Sequence, residues 1–228
     1  MGRTPKFTRE QLQATALSIV DEKGLDGLSM RTLAAALGTG AMTLYNYLAT
    51  REELDVLVVE AVVARATWTM PPNATWQDEL LHVAKGVWDA VRAHPNVVPL
   101  VLTRRSRSAA VCHFAESLLA PLARGGLSED ALLVAFRGVT ALIMGLAQGE
   151  LSGPLALQAG ECAQETIQRF RALPADRFPH LIDAAGAAMR STPEAEFEAA
   201  MKIFIAGLHS MESDRTASRA REARGSAG

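Results

Sequence analysis

Between Ser29 and Leu48 two short apolar stripes are separated by one glycine-bearing turn, and few packings satisfy that arrangement. Ser29 is a suitable N-cap, and Met30, Leu33, Ala34 and Leu37 recur at helical spacing before Gly38. Gly38 falls where a tight turn needs a residue free to take positive φ. A second, very short helix follows from about Ala41 to Leu48. Ala34 is small enough for the two helices to cross closely, and Leu33, Leu37 and Leu44 supply the core between them. That leaves Ala41, Met42, Thr43, Tyr45, Asn46 and Tyr47 facing outward. A helix this short buries little by itself yet exposes polar and aromatic side chains, the profile of an element that enters a DNA major groove. A helix-turn-helix is therefore expected here.

The remaining chain reads as helix throughout. Thr8 caps a first helix, Phe7 is placed to staple onto Leu12, and Gly24 ends the element. Thr50-Arg51-Glu52-Glu53 is a capping box for a fourth helix predicted to reach about Met70. Beyond Pro71-Pro72, helical patterns run from Thr75 to His94 and in a short segment to Leu102. Others run from Ser108 to Arg124, from Ser128 to about Leu151 and from about Ala159 to Leu173. Pro174 and Pro179 bound a loop, and a last helix runs from Thr192 to about Met211, with Pro193 at its first position. Alanine is abundant, aromatic residues make up only 5%, and β-branched alternation is scarce, so strands are not expected. The expected fold class is all-α, with a three-helix N-terminal domain (residues 1–50), a larger helical domain (51–212) and a disordered tail (213–228) without an apolar stripe.

Composition narrows the function classes. A net charge of −2 and a pI near 6.2 exclude a globally basic nucleic-acid binder. Residues 1–55 carry six Lys or Arg against seven Asp or Glu, but Arg3, Lys6, Arg9, Arg31 and Arg51 flank the presumed DNA face. The longest apolar run, Gly138 to Ala147, is about half of the roughly 20 residues that cross a bilayer, and MGRTPKFTRE has no signal-like segment. A soluble, cytoplasmic protein without membrane contact is expected. Cys112 and Cys162 lie in apolar helical contexts and are expected to be buried free thiols, neither disulfide-bonded nor zinc-binding. No Gly-rich phosphate loop, GxSxG, HExxH or paired-carboxylate arrangement is present, so neither catalytic residues nor a metal or cofactor is expected.

The stretch GLDGLSMRTLAAALGTGAMTLYNYLATREELDVLVVEAV resembles the N-terminal domain of tetracycline-repressor (TetR) family transcriptional regulators. Gly24, Leu28, Arg31, Leu33, Ala34, Leu37, Gly38, Leu44, Tyr45 and the TREEL cap fall together in order, which a lone helix-turn-helix would not require. The resemblance implies a sequence-specific regulator, a dimeric repressor released from a palindromic double-stranded DNA operator by a small-molecule effector. It places Met30 and Arg31 before the turn near phosphate or a guanine edge, and Ala41 and Met42 where bases are read. Thr43, Tyr45, Tyr47 and Arg51 match phosphate-contacting positions. Arg31 as a solvated charge, Tyr45 as packing and Met42 as core are the plainer alternatives. Gly40 stands where many relatives carry Ser or Thr, so the short helix starts with a weaker cap or uses Thr39.

The same resemblance implies an effector site among the central helices, for which Trp88, Thr103, Arg104, His113, Phe114, Met144 and Gln148 are the candidates. The histidine that the family's namesake uses for its drug-bound metal corresponds to Leu100, so a magnesium–tetracycline effector is not expected. For the homodimer interface the candidates are Gly138, Ala141, Gly145 and Gly149 on one helix and Phe197, Met201, Phe204, Ile205 and Leu208 on the last, with ordinary core as the alternative. A small helical ligand-binding protein or enzyme without an operator is the competing function.

Overall fold

The computed structural model describes residues 6–103, 108–152 and 161–225, and every regular element among them is helical. The N-terminal elements are α1 (Arg9–Gly27), α2 (Met30–Ala36), α3 (Ala41–Leu44) and α4 (Arg51–Val63). There follow α5 (Trp76–Arg92), a 3-10 turn (Pro95–Val97), α6 (Val98–Thr103) and α7 (Ala109–Arg124). The last are α8 (Glu129–Ser152), α9 (Glu161–Arg171), α10 (Pro179–Ala188) and α11 (Pro193–Gly225).

Local chemistry explains most of the boundaries. The Thr8 hydroxyl accepts from the Gln11 backbone N–H while the Gln11 side chain accepts from Thr8 N–H, closing a capping box on α1. Ser29 and Thr32 do the same for α2. Gly24 takes φ 68° and breaks the helical path, with a further turn completed to Gly27. At α5, the Asp78 carboxylate accepts from the Thr75 hydroxyl at 2.7 Å and from its backbone N–H at 3.0 Å. These bonds hold the Asp78 pKa below the ordinary aspartate range, so this cap is intact at neutral pH and is lost as pH falls through that depressed value.

Four boundaries or environments depart from expectation. α4 stops at Val63 rather than near Met70, because the β-branched Thr67 and Thr69 and then Pro71-Pro72 oppose its continuation. A helix, α10, opens with Pro179 at its first turn, where no helix was foreseen. α11 runs to Gly225, so residues 213–225 of the tail expected to be disordered are helical, while 226–228 lie outside the described residues. Once a helix is nucleated, adding Ala, Arg and Glu costs little, and no proline interrupts them. Cys112, expected buried, is exposed on α7, while the Cys162 side chain lies outside the description. In addition, Glu129–Gly149 of α8 is by length and composition apolar enough to cross a bilayer.

The chain divides into two compact units. One comprises residues 1–68 and 86–117, the other residues 69–85 and 118–228. The first unit is thus larger than an N-terminal domain ending at residue 50, since α4 packs on α1 and the 3-10 turn packs on both. Its core holds Leu12, Ala16, Val20, Leu33, Leu44 and Leu57, all under 3% exposed. Asn96 Nδ2 donates to the Val20 carbonyl at 3.0 Å, and His94 Nδ1 lies 2.9 Å from Asp21, tying the turn to the end of α1. Gly86 on α5 lies under the Thr67 carbonyl, which a Cβ there would meet at 2.4 Å.

In the second unit α8 packs on α11 and α9 on α10. A Cβ on Gly138 would come within 2.9 Å of the Phe204 ring, so this glycine permits the close approach of α8 and α11. Phe197, Met201, Ile205 and Leu208 of α11 and Val139, Ile143 and Ala147 of α8 are buried there.

Candidate nucleic-acid interface

α2 and α3 pack together as the helix-turn-helix. Leu33, Ala34 and Leu44 are buried at their crossing, and Leu37 is half-buried. Gly38 takes φ 63°, and the following residues lead into α3 with Gly40 as its N-cap. Gly40 supplies no side-chain hydrogen bond, and Thr39 does not substitute for it; its hydroxyl instead lies 3.4 Å from Lys6 Nζ.

With the helix crossing filled by those residues, the outward side chains have no core to enter. Met42 is 79% exposed and Tyr45 50%, although water disfavours exposing apolar surface. Met42 is therefore not core. Arg31 is exposed on α2, with Met30, Ala41, Thr43 and Tyr47 half-buried around the same elements.

The basic residues separate into two kinds. The Arg9 guanidinium donates twice to Glu60 Oε2, at 2.6 and 3.0 Å, and Gln13 Nε2 adds a third bond at 3.1 Å. Arg51, expected at a phosphate, turns inward: Nε donates to Asp55 at 3.0 Å, Nη1 to the Leu28 carbonyl and Nη2 to the Leu25 carbonyl. The cause is local. The i,i+4 spacing brings Asp55 beside Arg51, and the end of α1 with its cap residue Leu28 presents carbonyls that accept from the guanidinium. Lys6 and Arg31, by contrast, meet no carboxylate among the described residues.

The Arg51 guanidinium thus bonds the buried Asp55 carboxylate and two backbone carbonyls, and truncating it removes all three bonds at once. Arg51→Ala is accordingly expected to cost about 2 kcal/mol of stability, seen as a fall in Tm. An arginine serving only DNA would lose affinity at unchanged Tm.

Tyr47, expected at a phosphate, has partners within the chain. Its hydroxyl oxygen accepts from the backbone N–H of Lys6 at 2.7 Å and of Phe7 at 3.2 Å, and its ring meets Phe7 edge-on. Phe7 thus packs on Tyr47. Nothing in the local sequence pattern signals this, because the partners are forty residues apart.

The expected effector residues are divided between the two units. Trp88, with the Arg92 guanidinium 4.3 Å above its ring, is buried in the first unit. His113, exposed with Nδ1 2.7 Å from the Ala109 carbonyl, and half-buried Phe114 belong to that unit also. Thr103 ends α6, its side chain lying outside the description, and Arg104 lies outside the described residues. Met144 is buried in the second unit and Gln148 is exposed there.

The dimer candidates also separate. Phe197, Met201, Ile205 and Leu208 are used as core within their own unit, and Phe204 and Gly138 are spent on each other. A side chain already buried in its own chain has no apolar surface left for a partner. Ala141 and Gly145 face outward, and a Cβ on Gly145 or half-buried Gly149 would meet nothing within 4 Å. The pattern missed Val134, 65% exposed on α8, and Ile203, 75% exposed on α11. With Ala199, Ala206 and Ser210, Ile203 forms an outward stripe at helical spacing.

These elements define a helix-turn-helix protein whose second helical unit carries an outward stripe of small and apolar residues on α11. Residues 70–212 match the model of the tetracyclin repressor-like C-terminal domain, and the chain belongs to the tetracycline-repressor (TetR) family of transcriptional regulators. Over 151 residues it is 28% identical to the HTH-type transcriptional repressor DrrR1 of Streptomyces coeruleorubidus, a match covering 66% of this chain and 56% of that protein. The fold is similar to that of apo ActR from Streptomyces coelicolor, with TM-score 0.78, 26% identity, and coverage of 94% of this chain and 100% of ActR. It is also similar to ActR in complex with actinorhodin, with TM-score 0.74, 27% identity, and coverage of 90% and 98%.

Proposed function

We propose that the protein is a dimeric, non-enzymatic repressor that works in the cytoplasm. It reads a palindromic operator with α2 and α3 and leaves it when a small-molecule effector binds. The observation that carries this reading is the outward face of α3, where Met42 and Tyr45 are exposed, together with Arg31 exposed on α2 and meeting no carboxylate among the described residues. Met42 and Ala41 meet thymine methyls, while Arg31 meets a guanine edge or phosphate. The effector is proposed to be an amphipathic or aromatic small molecule; the relative ActR is known in complex with actinorhodin. Such an effector acts by favouring a conformation that does not fit the operator.

A mobility shift on the DNA upstream of the protein's own gene, at two salt concentrations, tests the reading. Sequence-specific binding that weakens with salt is expected. No specific binding at low salt overturns it.

We place the dimer interface on Val134, Ala141 and Gly145 of α8 and on Ala199, Ile203, Ala206 and Ser210 of α11. Small residues let a second pair of helices approach closely, and two-fold symmetry supplies the second half-site reader. Ile203→Asp is expected to give a folded monomer in sedimentation at micromolar concentration, since Ile203 takes no part in its own core. A stable dimer of this variant would move the interface elsewhere.

A further inference from the structure

Within the operator-binding reading, we propose that Lys6, held by Tyr47, forms a separate clamp on the DNA backbone, outside the base-reading helix. Three observations meet at this point. First, the Tyr47 oxygen already accepts two backbone N–H bonds, from Lys6 at 2.7 Å and Phe7 at 3.2 Å. With both lone pairs engaged, the hydroxyl is left as a donor, and it meets no acceptor among the described residues. Second, the Lys6 ammonium lies 3.4 Å from the Thr39 hydroxyl and 5.2 Å from the Phe7 ring centroid, without a carboxylate among the described residues. Third, Thr39 belongs to the turn that leads into α3, so the lysine is docked on the helix-turn-helix itself.

A hydroxyl donor anchored on the backbone of Lys6, together with an ammonium that meets no carboxylate among the described residues, is matched by an oxyanion, and on a duplex that oxyanion is a backbone phosphate. Arg9 and Arg51 differ from Lys6 in already holding carboxylate partners. A guanidinium already satisfied by Glu60 or Asp55 displaces few counterions from DNA, whereas a free ammonium contributes one phosphate contact to the salt dependence. Tyr47 is a positioning residue for the lysine as well as a donor.

The test uses the full chain and a duplex recovered with it by selection from random DNA. Affinity is measured across a salt series for wild type, Lys6→Ala, Lys6→Arg and Tyr47→Phe. Each phosphate contact contributes about 0.9 to the slope of log K against log salt, so Lys6→Ala in both subunits is expected to lower its magnitude by about 1.8. Lys6→Arg is expected to keep the wild-type slope. Tyr47→Phe is expected to lower the slope by a similar amount at unchanged base preference, because the arm loses its anchor. A wild-type slope in Lys6→Ala overturns the clamp while leaving the operator reading intact. Failure of the wild-type chain to select any duplex overturns the operator reading instead. If Tyr47→Phe lowers Tm but keeps the slope, Tyr47 serves packing alone and the clamp is likewise overturned.

Discussion

Gly86→Ala is expected to destabilise the protein by about 3 kcal/mol, lowering Tm by roughly 6–12 °C. A Cβ at Gly86 would stand 2.4 Å from the Thr67 carbonyl oxygen and 3.0 Å from its carbon. Both are backbone atoms, so no rotamer change relieves the overlap; α5 or the segment after α4 has to move. Gly186 on α10 provides the internal comparison. A Cβ there meets only Arg190 Nη1, at 3.9 Å. Gly186→Ala is therefore expected to be neutral or to stabilise by about 0.5–1 kcal/mol, through the better helix propensity of alanine. Thermal unfolding of the two variants checks both signs, and equal effects would refute the close approach at Gly86.

Met42→Glu is expected to abolish operator binding with the fold intact. Met42 is 79% exposed, so its replacement opens no cavity and shifts Tm by about 2 °C or less. On DNA the variant loses an apolar contact to bases and brings a carboxylate toward phosphates. A single lost base contact costs about 2 kcal/mol, hence about 4 kcal/mol in a dimer, or roughly a thousandfold in affinity. The measurement is binding to the selected duplex, with Tm recorded on the same preparation. Wild-type affinity in Met42→Glu would remove α3 from the interface.

The turn glycine, the helix caps and the α2–α3 crossing were legible in the sequence because their causes act over a few residues. Ser29 meets Thr32, Gly38 takes positive φ, and Leu33, Ala34 and Leu44 meet across one turn. The helical class followed for the same reason, from capping, spacing and propensity. The end of α4 was overestimated because its apolar residues continue past Val63 while Thr67 and Thr69 oppose the helix more weakly than a proline does.

Roles that depend on distant partners were not legible. The five basic residues around the presumed DNA face look alike in sequence. Only the fold brings Glu60 to Arg9 and the Leu28 carbonyl to Arg51, while leaving Lys6 and Arg31 without an acid among the described residues. The same holds for the last helix. Its stronger apolar stripe, Phe197 to Leu208, was expected at a partner, yet α8 covers it within the same unit and leaves Ile203 outside. An apolar stripe has the same period whether its own chain or a second one covers it. The sequence alone determined that this chain is helical and where its helix-turn-helix turns. Which cations stay available and which stripe stays bare were decided by tertiary packing, because pairing and burial depend on residues that only folding brings together.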